Sequence, residues 1–125
     1  MSAPAAPMRT GARLAKGVHH WKVQRITSIA LIPLSIWFLV SLIALPAHDY
    51  TTVVTWVSQK WTTALLMTFI AASAWHSHLG LQVVLEDYAH GKTRSFWIAV
   101  SRFAHMFFAF MSMFAVFHVA FGGHS

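Results

Sequence analysis

Cysteine is absent from this 125-residue chain, and acidic side chains are nearly so: Asp49, Glu86 and Asp87 are the whole complement. Without thiols there can be no disulfides, no cysteine-attached haem and no iron–sulfur ligands in the chain. The three acids lie outside its long apolar blocks, so a metal held within those blocks must use histidine. The lack of an embedded carboxylate also counts against a proton- or cation-coupled carrier. Charged residues of all kinds make up only 10% of the chain, whereas 57% is apolar. A soluble domain carries about a quarter charged residues, so this composition belongs to a membrane protein. No block shows the polar/apolar alternation of a strand, which excludes a transmembrane barrel. There is no internal repeat, and the loops are too short for a separate soluble domain.

What is present is basic. Nine Lys and Arg against three acids give a formal charge of +6. A nucleic-acid-binding domain is the obvious rival for that balance. It fails because the charges fall between apolar blocks and form no patterned polar face.

Three apolar blocks, about 26–45, 61–85 and 96–121, each reach the roughly 20 residues that a helix needs to cross a bilayer. Helices satisfy their own backbone groups in lipid. The expected fold is therefore an all-α membrane protein with three transmembrane helices. Arg9, Arg13, Lys16, Lys22 and Arg25 precede the first block, and Lys92 and Arg94 follow the second. Only Lys60 lies in the first loop, and no Lys or Arg follows the third block. Positive-inside sorting then puts the N-terminus inside and the C-terminus outside. Trp21, Tyr88 and Trp97 would mark the inner interface, with Tyr50, Trp56 and Trp61 at the outer one. Residues 1–16, Pro-rich at first and lacking the apolar core of a secretory signal, are expected to form a flexible basic tail. Residues 17–125 then make the membrane domain, and Pro33 interrupts its first helix, freeing a carbonyl one turn earlier that Thr27 and Ser28 are near enough to serve.

The most informative run is His76-Ser77-His78-Leu79-Gly80-Leu81-Gln82-Val83-Val84-Leu85-Glu86-Asp87-Tyr88. An imidazole at membrane depth is a ligand, relay or counter-ion, or else hydrogen-bonds across a close helix contact. Ala72, His76 and Gly80 share one helical face, leaving room for a flat macrocycle or another helix. At about 100° per residue, His78 lies about 200° round from His76, so the two cannot chelate one metal. His105 and His118, with Met106, Met111 and Met113, read first as packing residues of the third span, with His105 a second candidate axial ligand. Asp87 and Tyr88 end the second span as a solvated anchor, or as groups that hydrogen-bond a quinone carbonyl. The entry Gly17-Val18-His19-His20-Trp21-Lys22-Val23-Gln24-Arg25-Ile26-Thr27-Ser28 suits sorting alone, or anionic groups at the interface.

Together these residues resemble the hydrophobic membrane anchor (D subunit) family of succinate dehydrogenase, respiratory complex II. The resemblance rests on His19, Gln24, Arg25 and Thr27 at the entry. It rests also on His-x-x-x-Gly-x-Gln-x-x-x-x-Asp-Tyr at His76, Gly80, Gln82, Asp87 and Tyr88. It implies that His76 is an axial ligand of haem b, shared with a histidine of a cytochrome b556 subunit, with His19 and Arg25 near the haem propionates. It implies further that Tyr88, with Asp87 beside it, contacts ubiquinone. Flavoprotein and iron–sulfur subunits would complete the assembly and carry out succinate oxidation, so this chain would not be an enzyme on its own. The bacterial inner membrane is the expected location, ahead of the mitochondrial one. Two other readings remain from the residues: a self-sufficient homo-oligomeric b-type cytochrome using His76 from two copies or His76 with His105, and a cofactor-free structural subunit. The resemblance assigns nothing to His78, His105 or His118.

Overall fold

The computed structural model describes residues 6–122, and every regular element among them is helical. Four helices follow in order: α1 (Ala6–Ala44), α2 (Tyr50–Ser58), α3 (Lys60–Tyr88) and α4 (Lys92–Phe121). Three of them are long and apolar enough to cross a bilayer, over Leu14–Ala44, Lys60–Tyr88 and Lys92–Phe121. These correspond to the three expected spans, each starting earlier than expected and the second also ending later. α1 in particular runs back to Ala6 through most of the stretch given to the tail. At 1.5 Å per residue its 39 residues measure about 58 Å, nearly twice the ~30 Å hydrocarbon core.

α2 is a correction: a fourth helix stands where a plain loop was expected. Asp49 caps it, its carboxylate accepting from the Thr52 backbone N–H at 3.2 Å. Val54 is then buried, and the Ser58 hydroxyl donates to Val54 O at 2.7 Å and towards Val119 O of α4 at 3.4 Å. Before it, α1 ends ahead of Pro46, and the Leu42 carbonyl accepts from His48 Nε2 at 2.9 Å and from the Leu45 backbone N–H at 3.4 Å. Gln59, extended at φ −66° and ψ 133°, separates α2 from α3. Thr63 fastens that joint by donating to Val57 O at 2.6 Å and Gln59 O at 3.1 Å.

Packing puts α3 in the centre. It packs against α1 on one side and α4 on the other, and the backbones of α1 and α4 do not come close to each other among the described residues. Both pairs run antiparallel. The turn from α3 to α4 is only Ala89-His90-Gly91, and Gly91 takes φ +66° and ψ −139°, a conformation in which any Cβ would be strained. At the far end a cluster of rings locks α1, α2 and α3 together. Trp56 lies 6.0 Å from Trp37 and 6.3 Å from Phe38, and Phe38 stacks 5.3 Å from Phe69. Trp56 is thus half-buried in the fold, while Tyr50 and Trp61 stay exposed at the same end. Buried apolar side chains are few, namely Val54, Leu66 and Leu79, and large apolar ones face outward along every span. Lipid or other protein must cover that surface.

The Asp49 cap gives a pH test. Its hydrogen bonds to Thr52 hold the carboxyl below its ordinary value. The ionised cap therefore supports α2 above the ordinary carboxylate pKa, and the support is lost as pH falls through the lowered one. Hydrogen exchange at Thr52 and Val53 should accelerate in that acid window, and Asp49→Asn should remove the pH dependence.

Candidate functional site

The run His76-Ser77-His78 sits in the middle of α3, the helix covered on two sides, and its side chains divide between those sides. His76 turns to α1. Its Nδ1 lies 3.1 Å from the Thr27 hydroxyl and 3.5 Å from the Ser28 hydroxyl. Its Nε2 has no hydrogen-bond partner among the described residues. His78 turns to α4, with its ring 5.7 Å from that of His105 and 6.0 Å from that of Trp75. The expected separation of the two imidazoles round the helix is what the fold contains.

Thr27 and Ser28 do not serve the carbonyl that Pro33 frees, as their position suggested. The Thr27 hydroxyl donates to carbonyls of its own helix, Val23 O at 2.9 Å and Gln24 O at 3.0 Å, and Ser28 donates to Gln24 O at 2.8 Å. Towards the basic end, Gly17, His20, Trp21 and Gln24 of α1 face Leu79 and Val83 of α3 across a groove of ≈ 270 Å³. The groove opens one turn from His76, on its own face of α3. Gln24 Oε1 is buried there with no hydrogen-bond partner. His19 and Arg25 were the positions expected to meet an anionic group. Arg25 lies on a flank of the α3-facing stripe, its guanidinium 5.4 Å over the Trp21 ring, and His19 lies further round, exposed on the side of α1 away from α3. His20 had no role in the motif, and Gln24 entered it without one; both line the groove. Helical spacing from Gln24 to Thr27 could have found them.

The opposite side of α3 is closed by a different set of bonds. His105 Nδ1 lies 2.8 Å from the Ser101 carbonyl, which only accepts, so this nitrogen carries the proton. Nε2 then accepts from the Ser77 hydroxyl at 3.1 Å. Both nitrogens of His105 are engaged, and the ring lies across α3 from His76. A single iron cannot be gripped by His76 and His105 of one chain. Beside them an elongated groove of ≈ 550 Å³ runs between α3 and α4, lined among others by Ser73, Ser77, His105 and Ser112. His78 Nδ1 is buried without a partner at this interface.

At the end of α3, Asp87 and Tyr88 are both exposed, and neither has a partner among the described residues. Glu86 instead accepts from Gln82 Nε2 at 2.9 Å, one turn back. No group of three or more metal-ligating side chains occurs among the described residues. A metal on this chain would therefore need ligands completed from elsewhere.

Residues 1–117 match a family model described as succinate dehydrogenase/fumarate reductase transmembrane subunit. The chain belongs to that family. It is 36% identical over 72 residues to a succinate dehydrogenase hydrophobic membrane anchor subunit of Rickettsia bellii, covering 58% of each chain. It is 33% identical to the Rickettsia felis protein of the same name over 72 residues, 58% of this chain and 60% of that one. A succinate dehydrogenase membrane anchor subunit of Reclinomonas americana is 31% identical over 86 residues, 66% of this chain and 72% of that one. The matched stretch thus spans a little under three-fifths of the Rickettsia bellii relative. No solved structure matches the chain.

Gly80 offers a test of what covers this face. A Cβ there meets only Gln24 Nε2, at 3.9 Å, an ordinary contact. Gly80→Ala should leave α1–α3 pairing intact in the isolated chain. It should even favour the helix by about 0.8–1 kcal/mol, read by thermal unfolding in detergent. A loss of stability there would show that α1 approaches α3 more closely than this.

Proposed function

We propose that this chain is the membrane anchor of a succinate:ubiquinone oxidoreductase, contributing one haem ligand and one wall of a quinone site. The observation that carries the reading is His76. It is an imidazole at membrane depth with one nitrogen held by α1 and the other unpartnered, in a member of this family. The count of Lys and Arg supports an N-inside, C-outside orientation, with Asp87, Tyr88 and the basic residues at the inner face. The names of the relatives support placing the chain in a succinate dehydrogenase complex. Flavoprotein, iron–sulfur and cytochrome b556 subunits are the proposed companions, in a bacterial inner membrane. Succinate oxidation belongs to the flavoprotein subunit, so the chain has no catalysis of its own.

The donor set fits haem b. A porphyrin supplies the four equatorial nitrogens, so one histidine per chain suffices when a partner brings the second axial ligand. A site for a bare metal ion would need more ligands than this chain offers. When bound, such a haem would supply a one-electron couple suited to passing electrons. The chain's own part is to hold the His76 ring at a fixed angle between α1 and α3 and to line the approach with Leu79 and Val83. His20 on the groove wall is the better-placed hydrogen-bond donor for a propionate. Arg25 would reach one only along the flank of α1, and His19 faces away from α3.

At the inner rim the Tyr88 hydroxyl is free to donate to a quinone carbonyl. Asp87 beside it is free to relay the proton that reduction demands. Their exposure in the single chain fits a pocket whose other walls are partner subunits. The hydrogen bonds between His76 and α1 equally favour a second reading, in which this histidine only packs. The self-sufficient cytochrome using His105 is disfavoured, since that ring is fully engaged on the far side of α3.

Two measurements decide. In the purified complex His76→Ala should abolish or alter the reduced b-type spectrum, and an unaltered spectrum would leave the packing reading. Tyr88→Phe should slow quinone reduction by about tenfold, the value of one hydrogen bond worth roughly 1.4 kcal/mol, while succinate-to-dye activity persists. Equal loss of both activities would indicate failed assembly.

A further inference from the structure

The hydrogen-bond polarity around His76 carries one step more. A threonine hydroxyl has a single proton, and both backbone groups near Thr27 Oγ1 are carbonyls, Val23 O at 2.9 Å and Gln24 O at 3.0 Å. Neither can donate, and with the hydroxyl proton on one of them the Thr27 oxygen has only lone pairs left. What Oγ1 presents to His76 Nδ1 at 3.1 Å is a lone pair. Ser28 repeats the arrangement at longer range, donating to Gln24 O at 2.8 Å and standing 3.5 Å from the same nitrogen. In that arrangement two hydroxyl oxygens face Nδ1 as acceptors. A bond there requires Nδ1 to carry the ring proton, and a neutral imidazole has only one. Nε2 is left with the free lone pair.

We propose that Thr27 is the positioning residue for His76: it fixes the Nδ1–H tautomer and the ring plane, and so reserves Nε2 for iron. The inference rests on the reading of His76 as a haem ligand. Ligating histidines are held in this way by an outer partner on the second nitrogen, which orients the ring and raises its basicity. Here the partner is a back-bonded threonine, whose branched side chain has few rotamers open to it inside a helix. The acceptor is therefore rigid, and it sits on α1 while the ligand sits on α3. Ring orientation becomes a property of helix pairing.

The test uses the whole assembled complex. Thr27→Val keeps the shape of the side chain and removes the acceptor; Thr27→Ser keeps the acceptor. In Thr27→Val we expect haem retained through purification to fall about tenfold, the lower end of what losing such a partner costs. The haem that remains should show a shifted low-spin ferric resonance and a higher midpoint potential, because a less basic imidazole stabilises ferric iron less. Thr27→Ser should restore all three, and Ser28→Ala should deepen the loss only when combined with Thr27→Val. Wild-type retention, resonance and potential in Thr27→Val, with haem lost in His76→Ala, would overturn this inference and leave the ligand reading standing. An unchanged spectrum in His76→Ala would overturn both. Equal impairment in the Val and Ser variants would mean that Thr27 only packs, and would also overturn it. If Thr27→Val does not assemble, Thr27→Ala removes the same hydroxyl without added bulk and is read by the same criteria.

Discussion

A polar side chain in hydrocarbon must find a partner or lose several kcal/mol, and this rule organises the chain. α3 alone is covered on two sides, and the polar groups of its middle turns go to those sides. His76 meets the hydroxyls of α1, while Ser77 meets His105 of α4. The adjacent residues of one tripeptide thus find partners on helices whose backbones stay apart. Had α3 been an outer helix of the row, one of these imidazoles would have faced lipid tails. The central position of α3 and the composition of His76-Ser77-His78 require each other.

The same rule accounts for what is left open. Few side chains are buried, and bulky apolar groups line the outer faces of all three long helices. Such a row suits lipid on one side and other transmembrane helices on another. His76 Nε2, Asp87 and Tyr88 lie where a neighbour would complete them, whereas Gln24 Oε1 and His78 Nδ1 are buried between the helices without a partner. Membership of a family of transmembrane subunits agrees with a chain built as part of a larger body.

Much of this was legible in the residues. Run length and hydropathy located the three spans, and the helical angle separated His76 from His78 before any contact was known. Asp87 and Tyr88 were visible as the end of a span. α2 was not, because Asp49-Tyr50-Thr51-Thr52 reads as a polar loop until Asp49 is taken as a cap and Val53, Val54, Trp56 and Val57 as a short helical face. Charge drew attention to His19 and Arg25. The packing stripe of α1, which depends on where α3 lies, selects His20, Gln24 and Thr27 instead. The role of the Thr27 hydroxyl was hidden for the same reason. Proline chemistry offered it a nearby carbonyl, and only the crossing of two helices supplied the imidazole.

Three helices in a row, with only the middle one shared, also have a mechanical meaning. The groove on the α1 side and the groove on the α4 side have one common wall, a single helix about 10 Å thick. A bulky change pressed into one groove displaces an outer helix into its soft surroundings, and the other groove keeps its shape. The chain behaves as a partition whose two compartments can drift apart in evolution, each tuned without disturbing its neighbour.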